Sequence, residues 1–248
     1  MAPLTDYDGT RYGRQMMIGG WGASGQERLK SARVFIAGAG GLGSPAAIYL
    51  AAAGVGAIGL GDCDRPELSN LNRQILYDDA DLGRWKAEVA AEKLRRLNPA
   101  ITVTSAAEQI ATHSIERIIG QVDLILDCLD NFETRYVLNA YSIKHGTPMI
   151  HAAIWGWSGQ VTFLAPPRTP CLRCIFPAAP PREVFPVAGV TPGIAGCLQA
   201  TEALKFLTGM GPSLPGKLLV FDAEHMTCAT LAGERQPDCP ACAGLRRP

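Results

Sequence analysis

The sequence predicts a doubly wound α/β fold: a Rossmann-like, mainly parallel sheet with added antiparallel strands and a four-cysteine zinc knuckle. Three observations predict it. Residues 34–64 read as strand, glycine turn, helix and strand, the unit that opens such folds. Short apolar runs then alternate with stretches of helical spacing, the mark of parallel strands joined by crossover helices. Two Cys-x-x-Cys pairs, Cys171 with Cys174 and Cys239 with Cys242, supply four thiolates, the number a structural zinc takes in a tetrahedron.

A chain of 248 residues can bury a full core and is read as one domain. Residues 1–33 supply N-terminal helices, 34–164 the nucleotide-binding core, and 165–248 a crossover, the knuckles and closing strands. Lys plus Arg number 23, as do Asp plus Glu, so no basic stripe points to nucleic acid. Residues 1–10 lack the charged-then-apolar pattern of a secretory leader, and a cytoplasmic protein is expected. Residues 34–61 carry no charge and are long enough to span a bilayer. Eight glycines and Pro45 break that run into short pieces, so no membrane span is expected.

In order, residues 1–33 read as a short helix bearing Arg14, a glycine-rich link and a second helix. Composition alone makes Arg14 a solvated surface charge. The run Val34-Phe35-Ile36-Ala37 is a strand, and Gly38-x-Gly40-Gly41-x-Gly43 a phosphate-approach turn. Pro45 suits the first turn of the alanine-rich helix that Gly54 closes. A second strand ends at Asp62-Cys63-Asp64, where Asp62 meets a ribose. Pro66 opens a polar loop carrying Asn70, Arg73 and Gln74 beside that acid. Residues 85–97 have helical spacing, with Lys86 in the first turn, where a cation is disfavoured unless an anion is bound. Residues 101–105 read as a strand and 113–120 as a short helix. The apolar run 122–128 ends at Asp127-Cys128-Leu129-Asp130-Asn131. Asp130 there is either a Mg²⁺ ligand on a nucleotide or the cap of helix 133–144. Strands at 148–153 and 161–164, around a turn at 155–160, suggest a hairpin beyond the parallel core. Residues 177–192 form an irregular, mobile crossover. Residues 193–207 are a helix, and 218–222 and 226–231 closing strands.

A redox pair is the alternative to zinc, but neither knuckle precedes a helix as a thioredoxin-type motif does. A closed shell of four cysteines has no open position, so the metal is structural. Of the remaining cysteines, Cys63 and Cys128 fall at strand ends, beneath the nucleotide, where a buried thiol keeps a high pKa. His113, His145, His151 and His225 show no ligand spacing and are read as structural.

Taken together, these motifs resemble the ThiF/MoeB/HesA family of ubiquitin-activating-like adenylyltransferases. The likeness runs from about Arg11 to Cys242. It rests on Arg14-Gln15, the glycine loop, Asp62-x-Asp64, Leu68-Ser69-Asn70-Leu71-x-Arg73-Gln74, Lys86, Asp127-Cys128-x-Asp130-Asn131 and both knuckles. The resemblance implies ATP·Mg²⁺ as cosubstrate and a small ubiquitin-fold sulfur carrier as partner. The C-terminal Gly-Gly carboxylate of that carrier attacks the α-phosphate, giving an acyl adenylate and pyrophosphate. It further implies that Asp62 holds the ribose, that Asp64 belongs to the cofactor-binding set, that Asn70, Arg73, Gln74 and Lys86 hold the phosphates, and that Asp130 holds Mg²⁺. Arg14 reaches the neighbouring subunit's phosphates, which implies a homodimer. The carrier then proceeds to a thiocarboxylate for thiamine, molybdopterin or a related product.

One departure stands out. Relatives place a cysteine in the crossover a few residues before Ala-Gly-Val, and here Phe185 holds that place. No rhodanese-like extension follows Cys242, so a separate sulfur donor is expected. Two other classes remain open from the residues alone. One is an NAD(P)-dependent oxidoreductase using the same glycine fingerprint, which leaves Arg73 and Lys86 unexplained. The other is a non-catalytic homologue acting as a binding partner.

Overall fold

A computed structural model describes residues 3–181 and 184–245, so part of the expected crossover, Arg182 and Glu183, lies outside the described residues. Eight strands form one sheet in the order β3-β2-β1-β4-β5-β6-β7-β8. Strands β1 (Arg33–Ala37), β2 (Ala57–Gly61), β3 (Thr102–Ala106), β4 (Leu124–Asp127) and β5 (Met149–Trp155) are parallel. Strands β6 (Ser158–Leu164), β7 (Lys217–Asp222) and β8 (Thr227–Ala232) extend it antiparallel. The order reverses between β1 and β4, and a ligand crevice forms at the carboxyl ends on either side of such a switch.

Helices cover both faces. α3 (Gly43–Ala53), α4 (Lys86–Leu97) and α8 (Val190–Thr208) pack over one face with Ile36, Ile58, Leu60, Leu124 and Leu126. α5 (Ile115–Ile119) and α6 (Phe132–His145) cover the other, against Phe35, Ile125 and Met149. α3 is apolar nearly all round because α4, α8 and the sheet enclose it. Truncating a side chain as enclosed as Leu124, with 0% exposure, should cost about 2–5 kcal/mol. α1 (Asp6–Met16) and α2 (Gly22–Ser31) match the expected N-terminal pair, and Thr5 and Asp8 form a capping box on α1. Asn98 of the α4 C-terminus donates to the Tyr12 hydroxyl at 2.8 Å and ties α1 to the core. No helix among the described residues is long and apolar enough to cross a membrane.

Three expectations need correction. The hairpin turn is two residues, Gly156-Trp157, not 155–160, because Gly156 takes φ 56° and closes it tightly. α8 starts at Val190, three residues early: Pro192 falls in its first turn, where the missing N–H is not needed. The first knuckle contains one helical turn, α7 (Leu172–Ile175), with Cys171 as its N-cap.

Candidate functional site

The site is assembled from strand ends. After β1 the chain turns through Gly38, with φ 91°, and the Gly38 N–H donates to the Gly61 carbonyl at 2.8 Å. A Cβ on Gly38 would stand 2.6 Å from the Cys128 carbonyl oxygen, and one on Gly43 2.0 Å from that of Gly38. These two glycines are therefore fixed by backbone packing. Gly40 and Gly41 face side chains instead, Gln74 and Pro192. α3 begins at this turn, so its positive end lies at the carboxyl end of β1, where an anion is favoured.

Asp62, just past β2, accepts the Ala39 N–H at 2.8 Å and the Asp64 N–H at 2.9 Å. Burial lifts its carboxyl above the ordinary value, against the pull of those two N–H groups. Tyr77, which the sequence reading missed, is buried and donates to the Ala39 carbonyl at 2.8 Å and that of Lys86 at 3.2 Å. It locks the glycine loop to the start of α4. A lone tyrosine in a polar loop carries no motif by which to find it.

A cleft of about 450 Å³ opens beside this frame. Asp64, Asn70, Arg73, Gln74, Lys86 and Asp130 all line it, which brings together six of the expected residues. Lys86, 5% exposed, has its ammonium 3.3 Å from Asp64. Arg73 bonds only the Ser69 carbonyl and the Asn72 side chain and makes no ion pair among the described residues. The Gln74 Oε1 is buried without a partner. Uncommitted cationic and polar groups beside a helix N-terminus fit a polyphosphate. Asn131, not Asp130, caps α6, taking the Thr134 N–H at 2.9 Å. That leaves the exposed Asp130 carboxylate turned to the cleft, as a Mg²⁺ ligand requires. Arg65 and Trp85 also line the cleft, the guanidinium 3.8 Å over the indole, and were missed for want of a motif. Arg14 is exposed on α1 and does not line the cleft.

The four cysteines 171, 174, 239 and 242 converge in a buried cluster whose sulfurs lie within 4.8 Å of one another. Sulfur separations of 3.8, 3.7 and 3.4 Å are too long for disulfides. They fit a metal tetrahedron, whose edges are about 3.8 Å for zinc–sulfur bonds of about 2.3 Å. Burial pushes the Cys239 thiol up, but the Ala241 and Cys242 N–H groups outweigh it and bring it down to about 7. Asn139 of α6 anchors the knuckle by accepting the Leu172 N–H at 2.8 Å. Cys63 is exposed, contrary to expectation, because it lies on the open lip of the cleft, whereas Cys128 is buried. Asp222, Glu224 and His225 have ligand atoms within 4.8 Å of one another on an open turn, where His225 Nδ1 bonds Asp222 at 2.9 Å.

Sheet order, glycine loop and cleft define a nucleotide-binding enzyme of the doubly wound class. The ThiF family model matches residues 12–241, and the chain belongs to that family. It is 44% identical to the SAMP-activating enzyme E1 of Haloferax volcanii, over 94% of this chain and 88% of the relative. It is 43% identical to the sulfur carrier protein adenylyltransferase of Thermus thermophilus, over 94% of this chain and 90% of that one. Among solved structures it resembles Escherichia coli MccB with ATP. The TM-score is 0.82 at 25% identity, covering 97% of this chain and 76% of that one. The chain is thus an adenylyltransferase, a nucleotidyltransferase by reaction class.

Proposed function

We propose that this enzyme uses ATP·Mg²⁺ to adenylate the C-terminal Gly-Gly carboxylate of a small ubiquitin-fold sulfur carrier, releasing pyrophosphate. The observation that carries the reading is the cleft in which Asn70, Arg73, Gln74, Lys86 and Asp130 converge beside the glycine loop. A carboxylate oxygen attacks the α-phosphorus, and the bond to the bridging oxygen breaks with its electron pair leaving on pyrophosphate. The nucleophile is already anionic, so no general base is needed, and catalysis reduces to positioning and charge neutralisation. Asp62 orients the ribose. Asn70, Arg73, Gln74 and Lys86 hold the phosphates as charge moves to the leaving group, and Asp130 holds the metal. Mg²⁺, when bound, neutralises phosphate charge. Arg14 acts on the neighbouring subunit's nucleotide in a homodimer. The four-cysteine cluster holds Zn²⁺ structurally.

The reaction stops at the adenylate, and a separate donor supplies sulfur. Phe185 stacks on Trp155, with ring centroids 5.3 Å apart, and cannot ionise. Burial raises the thiol pKa of Cys128 and Cys197; at Cys63, exposed on the cleft lip, partial desolvation and the flanking Asp64 and Asp62 carboxylates raise it. A thiol kept protonated is a poor nucleophile.

The test is ATP–pyrophosphate exchange with a Gly-Gly-ended carrier, followed by intact mass without reductant. Exchange should require the carrier, vanish in Asp130→Ala with the fold kept, and give no enzyme–carrier adduct. Nicotinamide dinucleotide binding in place of ATP·Mg²⁺ would overturn the reading. A thiol-labile adduct would overturn the part assigned to Phe185.

A further inference from the structure

The segment ending in Asp130 rests on three buried side chains that no step above uses. Asp127 ends β4 and pairs in register with His151 of β5. Both have 0% exposure, and Arg135 of α6 has 4%. The His151 Nδ1 lies 2.6 Å from Asp127 Oδ2, and the Arg135 Nε 3.5 Å from the same oxygen. The other Asp127 oxygen accepts the Leu129 N–H at 3.2 Å. Arg135 Nη2 donates to the Leu129 carbonyl and, at 3.1 Å, to that of Ala152. The Leu129 carbonyl and the Asp130 N–H belong to one peptide plane, so Arg135 sets the plane that carries Asp130. From the other face, Gln199 of α8 donates to the Asp127 carbonyl at 2.9 Å and that of Ile150 at 3.1 Å.

Packing alone does not account for the trio. Buried ion pairs are often replaceable by apolar groups of equal volume without loss of stability. Here the cost is higher still, since His151 Nε2 and Arg135 Nε are both buried without a hydrogen bond, the latter only in ion-pair range of Asp127. Phe176 lies 5.5 Å from the His151 ring and Phe132 4.9 Å under the guanidinium, so both groups work in an apolar setting that strengthens their bonds. What the trio provides is a fixed backbone immediately before the cleft carboxylate.

We propose that Asp127, His151 and Arg135 are positioning residues that hold the Asp130 carboxylate at the metal site of the bound nucleotide. The proposal rests on the assignment of Asp130 to Mg²⁺. His151 donates from Nδ1 and keeps Asp127 turned to Arg135. Arg135 converts that orientation into the placement of the Leu129–Asp130 peptide. Misplacement by about 1 Å can reduce a reaction about 10²-fold, and loss of a group orienting a metal ligand typically weakens metal binding about 10–100-fold.

The experiment uses the full chain with its cysteine cluster metal-loaded. It compares His151→Leu, which removes the donor, with His151→Asn, which keeps one near the Nδ1 position. Mn²⁺ affinity in the presence of a non-hydrolysable ATP analogue is read by electron paramagnetic resonance. The Mg²⁺ requirement of exchange, metal-free ATP affinity and Tm are read beside it. In His151→Leu, Mn²⁺ affinity should fall about tenfold or more with metal-free ATP affinity unchanged, and His151→Asn should recover most of the loss. A folded His151→Leu with wild-type Mn²⁺ affinity overturns the proposal. Should that variant not fold, Arg135→Lys decides: it keeps the charge but loses the Nη2 bridge between the Leu129 and Ala152 carbonyls, and unchanged Mn²⁺ affinity again overturns it. Asp130→Ala runs in parallel. If it too leaves Mn²⁺ affinity intact, the assignment of Asp130 falls and the proposal with it. If Asp130→Ala responds and the trio does not, the proposal alone falls.

Discussion

All four cluster cysteines are 5% exposed or less, whereas Asp64, Glu67 and Asp130 of the cleft face solvent. The cluster sulfurs point at one another and need only a metal to complete a closed shell. In the cleft Lys86 pairs with an exposed Asp64, and Arg73 is left without an acid partner among the described residues. Satisfied groups serve the fold, and unsatisfied ones keep their interaction energy for a ligand. A chain can hold such unsatisfied charge only where water screens it, which is why the cleft is open and the cluster is not. The two regions should therefore fail in different ways.

The largest effect is expected at the cluster. Structural zinc binding is itself folding free energy, about 10 kcal/mol in small sites. Cys171→Ser should lose the one zinc per chain and lower Tm by many degrees. Metal analysis with thermal melting checks it. Unchanged zinc content and Tm would show that the cluster does not serve the fold and remove the contrast. The effect should reach the crossover, because Phe176, two residues past Cys174, accepts the Tyr136 hydroxyl at 3.0 Å and roofs His151.

Arg73→Ala should show the reverse pattern. A half-buried loop side chain outside the core, with no ion pair to lose among the described residues, changes stability by about 0.5 kcal/mol. Removing a cation placed where charge develops should cost exchange activity about 10²-fold or more. Exchange rates and Tm measured on the same preparation separate the two. A large fall in Tm with little loss of rate would place Arg73 with the structural residues and break the comparison from the cleft side.

How far each region could be read from the sequence follows from how its chemistry is spaced. The glycine loop, the Asp62 strand end and the Asn70–Gln74 loop each fit within about ten residues, and the two knuckles within four each. A mainly parallel sheet was legible because β1, β2 and most of β4 are short apolar runs, whereas β3, Thr102–Ala106, is largely polar. What resisted was anything set by tertiary contact. Lys86 looked like a misfit at a helix start until β2 brought Asp64 to it. Asp130 could not be told from a cap until Asn131 took that role. His151 carried no motif at all, because its partner Asp127 is a sheet neighbour 24 residues away. Phe185 was read from its side chain alone, and its stacking on Trp155 could not be, because the two rings meet only where the hairpin and the crossover come together.

The smallest effect expected is a pH dependence at Asp62, which does not line the cleft but lies beside it and holds the glycine loop. Its carboxylate already accepts the Ala39 N–H of the glycine loop and the Asp64 N–H, and the proposed ribose contact needs the same oxygens. Burial raises its pKa in the folded protein. In the window just above the ordinary carboxylate range, the folded chain therefore binds more protons at this site than the unfolded one. By linkage, its contribution to stability falls as pH rises through that window. On the proposed role of Asp62, nucleotide affinity should move the other way, because a ribose hydroxyl would donate to the ionised carboxylate and not to the protonated acid. Asp127 does not confuse the measurement. Burial would raise its pKa, but Arg135 and His151 outweigh that and hold it below the ordinary value, so its stabilisation is lost only as pH falls further. ATP affinity followed by calorimetry on acidification should weaken in the Asp62 window while the ligand-free Tm holds or rises. Asp62→Asn should flatten both trends. A parallel fall of affinity and Tm in the wild type would mean that the cleft and the fold are not separately titrated, and that the division drawn between ligand-serving and fold-serving groups fails at the residue where the two meet.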